Sequence, residues 1–163
     1  MLQSDALINL DPVEIQKYQQ NRYPCFFVDC IEEAIPGKSA RGYKNFTFNE
    51  WFFPAHFADE PNVPGFIQIE TMAQAFLMTF LTLPGNEGKK AAAVQSKARF
   101  KMKIIPGMRL DLDAELDSYV RGLAKGRVKG TVDGKEACNL EITAAIPEIM
   151  NAFIFHNRRM NRH

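Results

Sequence analysis

Between Pro64-Gly65 and Pro84-Gly85 lies a run, Phe66-Ile67-Gln68-Ile69-Glu70-Thr71-Met72-Ala73-Gln74-Ala75-Phe76-Leu77-Met78-Thr79-Phe80-Leu81, whose apolar residues fall on almost every side of a 3.6-residue period. The spacing predicts one long helix over 64–81, opened by Pro-Gly and closed by Pro-Gly. A helix apolar nearly all round has little surface to give to water, so the rest of the chain must be arranged to cover it. It carries a single carboxylate, Glu70. An unpaired ionised carboxylate there would cost several kcal/mol, so Glu70 is expected to be neutral, hydrogen-bonded, or both. Gln74, four residues on, shares its face and can orient it.

The helix is barely long enough to raise the question of a membrane span. Gln68, Glu70 and Gln74 crowd its first half, where each would be expensive in lipid, so a buried core helix is expected instead. At 163 residues, 46% of them hydrophobic, the chain is expected to form a single domain over 1–163, with a core at about 12–147 and a C-terminal extension over 148–163. A net charge of +1 argues against general nucleic-acid binding. Cys25, Cys30 and Cys138 are odd in number and form no CxxC pair, which suggests reduced core residues. The first residues lack the basic-then-apolar pattern of a secretion signal, and the cytoplasm is the expected location.

Asp11-Pro12-Val13-Glu14 has the cap, first-turn proline and reciprocal acid of a helix start, so a short helix is expected to about Gln20. Cys25 to Ile31 and Ala40 to Phe48 read as two strands joined at Pro36-Gly37. Residues 49–65 form a long aromatic loop broken by Pro54, Pro61 and Pro64, and such loops are more often functional than not. Beyond the central helix a strand is expected over 91–105, with Lys97, Arg99, Lys101 and Lys103 on one face and Ala98, Phe100, Met102 and Ile104 on the other. In 109–117, Asp111, Asp113, Glu115 and Asp117 alternate with apolar residues, and Lys125, Arg127 and Lys129 should lie opposite them across a turn near Gly122. Asp133-Gly134 makes the next hairpin, and Cys138, Leu140, Ile142, Ala144 and Ile146 line the inner face of the last strand. The expected fold is α+β, an antiparallel sheet of about six strands wrapped round one long helix. Beyond Pro147, Ile149, Met150, Phe153 and Ile154 fit one face of a short helix before a tail with Arg158, Arg159 and Arg162.

The chain has three histidines, and His156 and His163 sit in or beside that tail. No His/Cys/Asp spacing reads as a metal site, no Gly-x-Ser-x-Gly elbow is present, and no cofactor is implied. His56 is left as the candidate base, fourteen residues before the candidate acid Glu70. Spacing alone is equally compatible with a hydrogen-bonded loop histidine and a paired core acid, and by itself favours that plainer assignment.

Arg22-Tyr23-Pro24-x-Phe26-Phe27-Val28-Asp29, Asn45-x-Thr47-x-Asn49-Glu50-x-Phe52-Phe53, His56-Phe57, Pro61, Pro64-Gly65, Glu70-x-Met72-Ala73-Gln74, Arg99-Phe100-Lys101 and Pro106-Gly107 follow one another in an order that resembles the β-hydroxyacyl-acyl-carrier-protein dehydratases of type II fatty acid synthesis. The resemblance spans about residues 12–147. It implies a hot-dog fold, with the central helix as sausage and the sheet as bun, assembled as homodimers and often as trimers of dimers. It implies that His56 removes the α-proton of a 3-hydroxyacyl thioester, while Glu70 of the partner subunit protonates the departing hydroxyl. The amide at Gly65 would hold the thioester oxygen, a role also open to Phe66 at the same helix start, and Phe66 and Phe100 would line an acyl tunnel. Gln74 would steady Glu70. The partner would be an acyl carrier protein, which is acidic, and Lys97, Arg99, Lys101, Lys103 and the tail arginines are candidate docking groups; a merely solvated charged face is the plainer reading of that row. Two other functions fit the same fold: an acyl thioesterase, with Glu70 activating water or attacking the acyl carbon, and a non-catalytic acyl-binding subunit.

Overall fold

The computed structural model describes residues 5–151. Its elements are β1 (Leu7–Leu10), α1 (Pro12–Tyr18), β2 (Cys30–Ile35), β3 (Ser39–Asn45), α2 (Gly65–Leu81), β4 (Ala92–Phe100), β5 (Arg109–Val120), β6 (Leu123–Val132) and β7 (Lys135–Ala145). The strands form one antiparallel sheet in the order β1-β2-β3-β5-β6-β7-β4. α2 packs against β3, β5, β6 and β7, the hot-dog arrangement that the resemblance implies.

The central helix forms where expected, and every residue from Thr71 to Leu81 is buried. Phe76, Met72, Met78 and Phe80 fill the space between α2 and the curled sheet. Close approach is possible because β6 offers no side chain at Gly126, where an added Cβ would stand 2.5 Å from the Phe76 ring and 2.1 Å from the Glu115 carbonyl oxygen. α1 has the anticipated reciprocal cap, Asp11 accepting from the Glu14 amide and Glu14 from the Asp11 amide, both at 2.9 Å.

The β5–β6 pairing follows the charges: Asp113 lies opposite Lys129 and Glu115 opposite Arg127, and Arg127 also pairs with Asp117 beyond a bulge. Burial on the inner face of β7 is as its alternation requires, from Cys138 through Ile146. Burial pushes the Cys138 thiol up to about 12.

Four expectations need correction. The sheet has seven strands rather than about six, because Leu7–Leu10 adds an edge strand beside β2. The strand anticipated over 25–31 begins only at Cys30, because the backbone of 25–27 bonds to a side chain of α2 instead of a neighbouring strand: Gln74 Oε1 accepts from the Phe27 amide and Gln74 Nε2 donates to the Cys25 carbonyl, both at 2.8 Å. That geometry leaves Cys25 exposed and Cys30 half-buried, so Cys138 alone of the three is a core cysteine. β4 ends at Phe100, not at 105, because the chain then leaves the sheet to cover the aromatic loop, where Ile104 O accepts from the Val63 amide at 2.8 Å.

Among the described residues β4 pairs only with β7, Lys97 opposite Glu141 and Arg99 opposite Asn139, and none of them covers its other edge. Its apolar face is uncovered as well: Val94 is 64% and Phe100 48% exposed, with Phe66 of α2 63% exposed. Residues 147–151 begin the expected C-terminal helix. Phe153, Ile154, His156, Arg158, Arg159, Arg162 and His163 lie outside the described residues.

Candidate active site

The loop before α2 is built from turns that bury two of its aromatic residues and leave Trp51 and Phe57 exposed. Phe52 and Phe53 are buried, and Phe52 meets Phe27, Phe46 and Trp51 edge to face. This cluster anchors the segment from which His56 projects. A cis peptide links His56 to Phe57. The Asn62 amide donates to His56 O at 2.9 Å, and His56 Nδ1 lies 3.0 Å from Asn62 O. A carbonyl oxygen can only accept, so Nδ1 carries a proton, and in the neutral ring the lone pair is therefore on Nε2. The ring is thus held in the tautomer that a general base requires.

His56, Asn62, Val63, Gly65, Gln68, Phe100, Lys101, Met102 and Lys103 line a shallow cavity of about 350 Å³. At its floor α2 begins with Pro64 as N-cap, which supplies no side-chain acceptor. Pro64 O accepts from the amides of Ile67 and Gln68, at 3.0 and 3.1 Å. The amides of Gly65 and Phe66 precede any intrahelical acceptor and stand at the positive end of a 17-residue helix. Gly65 is also where the Phe100 ring approaches, since an added Cβ would stand 3.0 Å from it. A side chain at this position would crowd that ring, and free amides at a helix start are suited to an anionic oxygen.

Glu70 does not belong to this cavity. It lies two residues beyond Gln68, about 200° round the helix, and so faces away from His56. Its Oε1 accepts from Gln74 Nε2 at 2.9 Å and from Asn21 Nδ2 at 3.1 Å. Gln74 is fully buried and spends its remaining hydrogen bonds on Cys25 and Phe27, so the amide that orients Glu70 is itself fixed by backbone. The i+4 spacing therefore identified a real contact.

The structure brings His56, Gly65 and Phe100 together, places Glu70 with Gln74 on another face, and leaves Phe66 exposed at the helix start. The basic row divides. Lys101 and Lys103 border the His56 cavity, paired with Glu136 and Glu60; Lys97 and Arg99 line a groove of about 540 Å³ on the sheet, among Asp113, Glu115, Arg127 and Glu141. The Lys103 ammonium holds the Glu60 carboxyl below the usual range. Asn21, Asn62 and Gln68 were not anticipated as site residues. Asn21 and Asn62 act across the fold or through a backbone carbonyl, which leaves no periodic trace, whereas Gln68 is visible as a polar break in an apolar helix. Among the described residues no group of three or more His, Cys, Asp or Glu is placed to hold a metal ion, and no helix is long and apolar enough to cross a membrane.

Residues 20–141 match the FabA-like domain. The chain belongs to the FabA-like family. The 3-hydroxyacyl-[acyl-carrier-protein] dehydratase FabZ of Clostridium novyi (strain NT) is 42% identical over 134 residues, covering 82% of this chain and 94% of that one. The FabZ of Ligilactobacillus salivarius (strain UCC118) is 38% identical over 139 residues, covering 84% and 99%. Among solved structures, this FabA-like chain superposes on the dehydratase heterocomplex ApeI:P of Xenorhabdus doucetiae with a TM-score of 0.72 at 14% identity, over 86% of this chain and 96% of that one. That likeness extends the shared fold beyond the reach of sequence identity.

Proposed function

We infer that this protein is a dehydratase that removes water from 3-hydroxyacyl thioesters carried on acyl carrier protein, giving trans-2-enoyl thioesters in fatty acid synthesis. The observation that carries the reading is His56, held with Nδ1 on a carbonyl and its basic Nε2 free, in a cavity floored by the uncapped amides of α2. An α-proton beside a thioester is weakly acidic, so its removal needs a base together with donors to the oxygen that gathers charge. His56 supplies the base and Gly65 N–H the donor. Curated FabZ relatives with this chemistry in their names, 38–42% identical over more than four-fifths of the chain, support it independently.

Hydroxide leaves only when protonated, and within one chain the candidate acid, Glu70, faces away. Glu70 from a second copy completes the site in this reading. The open edge of β4 and the uncovered Val94, Phe66 and Phe100 support a homodimer formed along this side, with Phe66 and Phe100 lining the acyl path between subunits. Lys101 and Lys103, at the mouth of the cavity, are the better candidates for docking an acidic carrier protein. Such an enzyme would work in the cytoplasm alongside its carrier.

Incubation with a short 2-enoyl thioester on carrier protein, followed by mass spectrometry, tests the assignment. Addition of one water, lost in His56→Ala and in Glu70→Gln, is the expected result. Release of free acid would replace this reading with a thioesterase, and an unchanged thioester at every chain length with an acyl-binding subunit.

A further inference from the structure

Gln68 borders the His56 cavity and is 4% exposed. Its Nε2 donates to Val63 O at 3.1 Å. A backbone carbonyl accepts and never donates, so the amide cannot be turned round, and the orientation of both ends follows from this one contact. The other end, Oε1, is buried without a hydrogen-bond partner among the described residues. A buried acceptor left unpaired is destabilising, and such exceptions call for an explanation. Gln68 stands one helical turn beyond Gly65 and shares its face, so an acyl group whose carbonyl oxygen meets the Gly65 amide extends past Gln68.

On the dehydratase reading, on which this inference rests, the reacting part of the substrate carries one hydrogen-bond donor. The thioester oxygen accepts only; the hydroxyl at C3 can donate. We propose that Gln68 Oε1 accepts the hydrogen bond of the substrate 3-hydroxyl and keeps hold of the same oxygen as it leaves. In the reaction the α-proton passes to His56 Nε2, its electron pair forms the C2–C3 double bond, and the C3–O bond breaks. The leaving oxygen takes the proton of Glu70 from the second copy and departs as water. Protonation makes the remaining O–H a stronger donor, so the contact to Oε1 tightens as the bond breaks and favours the transition state over the bound substrate. The enoyl product has no donor and loses the contact. Gln68 thereby distinguishes the hydroxyacyl form from the product and orients the hydroxyl toward the acid.

The test uses the full chain carrying His56→Ala, which cannot turn over, and compares binding of 3-hydroxybutanoyl and butanoyl carrier protein by calorimetry. The hydroxylated ligand should bind about 3- to 10-fold more tightly, the range of one neutral hydrogen bond. Adding Gln68→Met should abolish that preference while butanoyl affinity stays within about twofold. Gln68→Glu in its protonated form, which can still donate to Val63 O and keep an acceptor oxygen in place, should retain the preference. A preference that survives Gln68→Met overturns the proposal, as does its absence in the His56→Ala parent. Parallel loss of both ligands would assign Gln68 a structural role at Val63 and overturn it equally. Should Gln68→Met fail to fold, the His56→Ala parent is tested with 3-methoxybutanoyl carrier protein, which keeps the oxygen but has no donor, and binding as tight as that of the 3-hydroxybutanoyl form overturns the proposal. Turnover by the unaltered protein is measured alongside: no dehydration there removes the dehydratase reading too, whereas normal turnover with any of the overturning results removes only the role of Gln68.

Discussion

Glu70 and His56 are held in opposite ways. Glu70 rises from the middle of a buried helix, and two side-chain amides donate to one of its oxygens; one of them, Gln74, is locked to the backbone at Cys25 and Phe27. His56 stands on a loop, its ring held by the Asn62 carbonyl and the Phe57 ring, in a turn whose charged members, Asp59 and Glu60, are at the surface. The acid is positioned by the fold itself, the base by a local turn. Damage near Glu70 should therefore reach stability as well as activity, while damage near His56 should reach activity alone.

The sharpest test of that contrast is His56→Ala. Dehydration should fall by about 10²- to 10⁴-fold, the usual contribution of a general base, with the urea midpoint unchanged. A large loss of stability would show that the loop is part of the core. Gln74→Leu comes next and should act on both quantities. It strips the buried Phe27 amide of its partner, at about 1–3 kcal/mol, releases the half-buried contact to the Cys25 carbonyl, and frees Glu70 to rotate. We expect urea unfolding to register about 2–4 kcal/mol and steady-state turnover to fall at least tenfold on the same footing. If activity drops with stability intact, Gln74 is not the bridge that the contrast requires.

Asn21→Ala probes the acid with less disturbance, because it removes one 3.1 Å donor at a half-buried position. Turnover should fall by roughly 3- to 10-fold, with stability lowered by no more than about 1 kcal/mol. The smallest effect belongs to Lys103→Ala. Its pair with Glu60 is exposed on both sides, so the urea midpoint should not move measurably. The Michaelis constant for carrier-protein substrates should rise about two- to fivefold in low salt, and the difference should fade as salt is added. A rise of equal size for a pantetheine thioester would mean that Lys103 serves the cavity and not the carrier.

What could be read in the sequence depended on whether an interaction repeats along the chain. α2 was legible because its apolar residues recur at every turn, and the β5–β6 register because Asp113 and Glu115 alternate in step with Lys129 and Arg127. Gln74 was legible for the same reason, lying one helical turn from Glu70. Residues 25–29 were misread because they have the composition of a strand, while a lone glutamine on α2 takes the Cys25 carbonyl and the Phe27 amide. Asn21 was missed because its target lies 49 residues away in another element. The pairing of β4 with β7 was open for a related reason: the intervening hairpin of β5 and β6 leaves the neighbour of β4 undetermined by order alone.

That crossed pairing also orders events as the chain is made. β4 leaves the ribosome before β5 and β6, yet its one neighbour in the sheet, β7, emerges after both. Until then β4 has no strand on either side, and the nascent chain carries its apolar residues uncovered. The edge that the dimer reading assigns to a second subunit is thus the last part of the sheet to be put in place, and until β7 arrives both edges of β4 are open to a neighbouring chain.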